Sequence, residues 1–285
     1  MTARELLSAL TRDRLGLVGL ILFGIFALTA VFAPLIAPFD PMQMHFRPDG
    51  TLARLEPPSA SHWLGTTRMG RDVFSQVVMG ARPALLVGVL SAVCVVAVGT
   101  NVGIVAGYYG GWVDDLLMRL TDLAFGVPFL PFALILVALL GPGLRNMVIA
   151  IVLVMWRSSA RVVRAQVLTL KRRAFVEAAR IGGAGNLRIL YRHLLPSVLP
   201  LALVYTALAM AWAIMAEANL SFLGYADPRM ASWGKILYEC YTSQAMFVAW
   251  WWMVPPGAAI TLLVLSGFLV GRAYEEVANP RLRRR

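Results

Sequence analysis

The stretch FVEAARIGGAGNLRILYRHLLP, Phe175 to Pro196, consists of two short amphipathic pieces joined at a cluster of glycines. Phe175, Ala178, Ala179 and Gly182 give the first piece a face of small residues, with Glu177 exposed near its start. The run GGAG, Gly182 to Gly185, breaks the helix, because glycine is poor inside a helix and accepts the backbone angles of a tight turn. Asn186 is placed to cap the second piece. There Leu187, Leu190 and Leu194 recur at helical spacing, while Arg188 and Arg192 point elsewhere. Pro196 opens the next helix where a missing amide donor costs least. On periodicity alone this elbow is either a docking lever for another body or a surface helix held by anionic lipid.

Outward from the elbow the chain is apolar on both sides. Only 14% of its 285 residues are charged, against about a quarter in an ordinary soluble domain. The bilayer is therefore its natural solvent. Runs long enough to cross hydrocarbon lie at Leu15–Ala37, Ala84–Ala106, Leu120–Leu140, Met147–Val167, Val198–Ala218 and Trp250–Gly271, which gives about six transmembrane helices and an all-α membrane protein. Arg157, Arg161 and Arg164 interrupt the fourth run at one-turn spacing and are expected to snorkel toward cytoplasmic water. Pro128 and Pro131 predict a kink in the third. The first run is long and ends in FAPLIAPF without an Ala-x-Ala site, so it reads as a retained span rather than a cleaved signal.

Orientation follows from the basic residues. With both termini cytoplasmic, most of the 26 Lys and Arg fall on inner segments, and the elbow region is the richest. That placement accounts for the net charge of +11 without a nucleic-acid partner. GYYGGWVDD, Gly107 to Asp115, is the exception, being acidic on the inner side. The chain divides into an N-terminal tail and first span (1–37), an extracytoplasmic segment (38–83), a five-span core (84–271) with the elbow at 174–196, and a basic cytoplasmic tail (272–285).

Few residues suggest chemistry. No GxxxxGK[ST] loop is present to cradle ATP phosphates. His45, His62 and His193 are scattered, and Cys94 and Cys240 form no CxxC pattern, so neither a metal site nor a disulfide framework is expected. Gly99 and Gly103 read as a close helix contact. Asp122 is placed to pair with Arg119. Glu217, at the end of a span, is read as facing water, capping the next turn or meeting a neighbouring chain, with contact to a substrate ammonium or gating as the alternative. Thr121, Ser158, Ser159 and Thr206 are candidate pore lining. Trp250, Trp251 and Trp252 mark a membrane interface.

EAARIGG followed by RHLLP resembles the EAA motif of permease subunits in bacterial ABC importers. The matching positions are Glu177, Ala178, Ala179, Gly183, Leu195 and Pro196, with Arg180 between them. Gly182 stands where leucine is more usual, and His193 where an aliphatic residue is general, although the peptide branch often carries histidine. HWLGTTRMGRDVFSQVVMGARPALLVG (His62–Gly88), AEANLSFLGYADPRMASWGKIL (Ala216–Leu237) and the closing PPGAAITLLVLSGFLVGRAYEEVANPRLR are similar to the dipeptide and oligopeptide branch. Thr67 stands where aspartate is common there, Asn219 where serine is, and Arg272 where an acid or small polar residue is.

This resemblance implies the type I ABC importer permease fold in a bacterial inner membrane. It further implies a second, homologous permease, two cytoplasmic ATPase subunits that bind ATP and Mg, and an extracytoplasmic solute-binding protein. The chain itself would be non-catalytic and hold no cofactor. The elbow would couple to the ATPases, while Glu217, Asn219, Gly224 and Trp233 would belong to the outer gate segment. Nickel and glutathione importers share these motifs. An ion-coupled carrier, which needs midplane ionisable groups and interrupted helices, and a scaffold without transport are the other classes.

Overall fold

The structure is a computed structural model describing residues 13–278, so Arg4, Arg12 and the end of the basic tail lie outside the described residues. The chain runs α1 (Arg14–Ile36), α2 (Val73–Tyr109), α3 (Gly111–Gly126), α4 (Phe129–Leu140) and α5 (Leu144–Leu170), then α6 (Ala174–Ile181), α7 (Leu195–Leu220), α8 (Trp233–Thr242) and α9 (Trp250–Ala278). Among these α1, α2, α5, α7 and α9 are long and apolar enough to span a bilayer. Asp13 starts α1 by accepting from the Gly16 amide at 2.9 Å. Asp72 starts α2 in the same way, from Ser75 at 2.7 Å, and each satisfies an otherwise orphaned donor. α2 therefore begins well before its apolar run does.

The third apolar run is not a single helix. α3 and α4 meet at 89° across Val127 and Pro128. Pro128 has no amide hydrogen and drives Val127 into an extended conformation, which ends α3. Pro131 is accommodated in the first turn of α4, where no intrahelical donor is needed. Counted as one bent span, the pair makes six.

α2 and α5 meet along glycines. A Cβ added at Gly103 would lie 2.5 Å from the Ala160 carbonyl oxygen, and Gly99 and Gly107 face α5 as tightly. The close contact expected of Gly99 and Gly103 is therefore present. It brings backbone against backbone where any side chain would hold the helices apart.

α8 lies across α2, α7 and α9. Trp233 is 1% exposed, donates from Nε1 to the Val77 carbonyl at 2.8 Å, and meets the Phe26 ring edge-on. Trp251 and Trp252 are buried in the same cluster, so of the expected interfacial trio only Trp250 is exposed. Gly65, at φ +65°, lets the Trp251 ring sit directly on the loop before α2.

That loop corrects a second expectation. His45 and His62, far apart in sequence, stack edge-to-face with centroids 4.9 Å apart, and His62 Nδ1 lies 2.9 Å from Asp72 Oδ1. Burial, then the neighbouring His62, pushes the His45 imidazole below its ordinary pKa. Among the described residues no three His, Cys, Asp or Glu side chains are arranged to hold a metal ion. Thr67, standing in place of the usual aspartate, still accepts from the amides of Met69 and Arg71 at 3.2 and 3.1 Å, so the turn keeps its side-chain acceptor.

Candidate functional site

The elbow has a buried inner side and a bare outer one. Val176 of α6 is fully buried against Val163 and Val167 of α5 and against Ile189, Leu190 and Leu194 beyond the turn. α6 closes through Gly183, whose φ is +77°, with the Ala184 amide bonded back to the Ala179 carbonyl at 3.0 Å. Glycine takes that left-handed angle without strain. One helical turn (Asn186–Arg188) and a π-helical stretch (Ile189–Leu194) then lead into α7. At the end of the stretch Leu195 donates five residues back to Leu190, immediately before Pro196, which cannot donate at all.

Asn186 does not cap this second piece; the cap position is Gly185, without a side-chain bond. The Asn186 amide oxygen instead accepts from the Tyr108 hydroxyl at 2.8 Å. Lys171 Nζ donates to the Gly107 carbonyl at 2.7 Å, and the Tyr191 hydroxyl donates to Asn101 at 2.9 Å. Two of these bonds tie the elbow, and that of Lys171 the end of α5 just before it, to the C-terminal third of α2. Leu190 and Leu194 are buried as their spacing predicts, but Leu187 is 69% exposed and Ile181 is 89% exposed. Glu177, Ala178, Arg180 and Gly183 are also exposed, Ala179 is half-buried, Leu195 packs inward and Pro196 faces out. The outer face thus offers two bare aliphatic tips within a charged rim. Beside it lies a hollow of about 380 Å³ lined by Ala179, Gly182, Arg188 and His193.

Above the elbow, α5 is fastened to α3 by its arginines. Arg164 holds Asp114 through two bonds of 2.5 Å, and Arg161 pairs with Asp122. Asp122 therefore meets Arg161 rather than Arg119, and these arginines are anchored rather than left to snorkel. The acidic inner segment that ran against the charge pattern supplies their counter-ions. Arg157 has no such acid; it donates to the carbonyls of Ala124 and Val127, the latter at 3.4 Å. A cavity of about 410 Å³ between α2, α5 and α7 is lined by Arg157, Ser158, Ser159, Tyr205, Trp212 and Asn219, among others. Ser158 and Ser159 thus line this cavity. Thr121 and Thr206 do not: they donate to Leu117 and Ala202 within their own helices.

Residues 99–284, which hold the elbow and the core spans, match the family model "Binding-protein-dependent transport system inner membrane component". The chain belongs to that family. Residues 3–58 of the permease also match the N-terminal TM domain of oligopeptide transport permease C. It is 37% identical to the dipeptide transport system permease protein DppC of Alkalihalophilus pseudofirmus, over 98% of this chain and 90% of the relative. It is 33% identical to the oligopeptide transport system permease protein OppC of Bacillus subtilis, over 95% and 87%. With the glutathione transport system permease protein GsiD of Pectobacterium atrosepticum the identity is 38%, over 80% and 75%. The permease is a multi-pass, all-α membrane subunit and not an enzyme.

The residues expected of the gate segment, Glu217, Asn219, Gly224 and Trp233, fall into two groups. Glu217 is 1% exposed and accepts from the Ser221 hydroxyl at 2.6 Å, with Ser232 close by. It therefore does not face water. Gly224, at φ +93°, ends the following π-helical stretch against the Tyr238 ring. Gly234 lets α8 touch the Ala218 carbonyl, which brings Trp233 and Ser232 to the same joint. Asn219 alone turns the other way, into the cavity. Nothing in the residue pattern alone marks Arg157 as a cavity residue. The register of Asp114 and Asp122 against Arg164 and Arg161, running in opposite senses along α3 and α5, is the pattern that singles it out as the odd arginine.

Proposed function

We propose that this permease is one of two membrane subunits of an ATP-driven importer of di- or oligopeptides, and that the elbow 174–196 is where ATPase motion enters the spans. In this reading the termini and the elbow are cytoplasmic, 38–83 meets the solute-binding protein outside, and 84–271 forms the path with a homologous permease. The observation that carries it is the two-sided elbow. Its bare outer face suits a cleft in a soluble partner, while its inner face is packed and hydrogen-bonded to α2, α5 and α7, so a displacement of one must move the others. Glu177, Ala178, Ala179, Arg180 and Gly183 make the docking surface, and Leu195 and Pro196 pass the motion into α7. ATP and Mg are bound by the partner ATPases, whose closure opens the spans outward; hydrolysis resets them.

The peptide assignment follows the dipeptide and oligopeptide relatives, which match more of the chain than the glutathione relative does. An ion-coupled carrier is disfavoured, since Asp114 and Asp122 are engaged as counter-ions to arginines and are not left to exchange protons. The test is uptake of a labelled dipeptide into liposomes holding the full assembly and its binding protein. Uptake should require ATP inside the ATPase compartment and should be indifferent to a proton gradient. Uptake driven by the gradient without ATP would overturn the reading.

A further inference from the structure

Of Arg157, Arg161 and Arg164, spaced along the second half of α5, Arg157 alone is left without a carboxylate among the described residues. Arg161 and Arg164 each hold a carboxylate, whereas among the described residues none pairs with Arg157. Its Nη1 is taken by the carbonyls of Ala124 and Val127, which the break before Pro128 frees from helical bonding. Its guanidinium lies 4.8 Å from the centre of the Phe125 ring. Carbonyls and a ring face orient a guanidinium but supply no formal counter-charge. The remaining Nε–Nη2 edge makes no hydrogen bond among the described residues. That edge is the planar fork that fits a carboxylate with two parallel bonds.

This arginine sits halfway along α5 and lines the cavity of about 410 Å³, whose walls include Trp212, Tyr205, Met155 and Met215. The volume is within the range of small-molecule sites, about 300–1,000 Å³. Apolar walls lower the local dielectric and strengthen any ion pair formed there. Among the described residues no carboxylate lines the cavity to receive an ammonium: Glu217 is turned into the joint with Ser221.

We propose that this cavity is a subsite for the carboxyl-terminal end of the transported peptide, with the free edge of Arg157 holding the α-carboxylate and the Trp212 and methionine walls taking the last side chain. The proposal rests on the peptide-importer reading above. It assigns one end of the cargo to this subunit and leaves the amino-terminal ammonium to groups outside this cavity.

The test compares a labelled dipeptide with its C-terminal amide, each loaded on the binding protein to equal occupancy, in liposomes holding the full assembly. The quantity read is the ratio of acid uptake to amide uptake. Arg157→Gln should lower that ratio about tenfold, the effect of losing a charge-assisted bond, and Arg157→Lys should restore part of it. Ser158→Glu keeps Arg157 and its carbonyl bonds but adds a competing carboxylate to the same cavity; it should lower the ratio in the same direction, and it decides the matter if Arg157→Gln does not assemble. An unchanged ratio, or equal loss of acid and amide uptake, overturns the carboxylate subsite. An unmodified assembly that takes up neither peptide overturns the peptide reading itself, and this proposal with it.

Discussion

Replacing Gly103 with alanine adds a single methyl group at the α2–α5 contact. That methyl carbon would lie 2.5 Å from the Ala160 carbonyl oxygen, 2.9 Å from the Arg164 amide nitrogen and 2.9 Å from Val163 Cβ. Two of the three are backbone atoms and cannot rotate away, so the helices must separate. Overpacking of this kind costs about 1–3 kcal/mol, while glycine-to-alanine in a helix interior returns up to about 1 kcal/mol. An approach of 2.5 Å to a backbone oxygen puts the steric cost in the upper part of that range, about 2–3 kcal/mol, for a net loss of about 1–2 kcal/mol. Gly24 of α1 is the matched control: nothing lies within 4 Å of an added Cβ there, so only the propensity gain remains. In thermal melts of the detergent-solubilised assembly at one scan rate, Gly103→Ala should lower the apparent Tm by about 2–8 °C. Gly24→Ala should leave it level or raise it slightly. If Gly103→Ala were as benign as Gly24→Ala, the contact would be looser than described, and the elbow would lose its rigid backing.

Three further outcomes follow from the geometry. Removing either partner of Arg164–Asp114 should cost about 2 kcal/mol, and the double variant Asp114→Asn/Arg164→Gln should cost less than the sum by about 1–2 kcal/mol, a modest coupling because the Arg164 side chain is 32% exposed; strictly additive melting shifts would show the pair to be idle. Glu217→Leu should destabilise by about 1–3 kcal/mol by stranding the Ser221 hydroxyl, and Glu217→Gln by much less; equal shifts for the two would exclude hydrogen bonding as the role of Glu217. Because His45 is held below its unfolded pKa, the unfolded chain binds more protons as pH falls through the ordinary histidine range, so stability should drop from pH 7.5 toward pH 5. His45→Phe should shrink that drop, and an unaltered slope would remove His45 from the account.

The apolar runs and the elbow were legible because both follow from local pattern: span length, helical spacing and the glycine break need no knowledge of the partner segments. What escaped was pairing at a distance. Nothing near Asp122 in sequence says that its cation lies on α5, and the nearby Arg119 was the natural but wrong candidate. His45 and His62 looked unrelated until the loop before α2 folded them together. Trp251 and Trp252 carry the composition of an interface, yet the loop before α2 covers them. Leu187 keeps the period of Leu190 and Leu194, but a three-residue turn followed by π-helical winding rotates it out of the buried face. The bend at Pro128 was visible as a kink; that it frees two carbonyls for Arg157 depends on α5 lying opposite.

The central claim is that the elbow transmits ATPase motion, and Ala178→Trp beside Glu177→Ala tests it most directly. Both sites are exposed on the helical α6, where a change of side chain asks nothing new of the backbone, so added bulk meets the docking partner rather than the permease. The account predicts that each variant assembles its spans normally, with Tm close to that of the unmodified chain, yet loses ATP-dependent peptide uptake in liposomes. Full uptake with either variant, still driven by ATP, would contradict it.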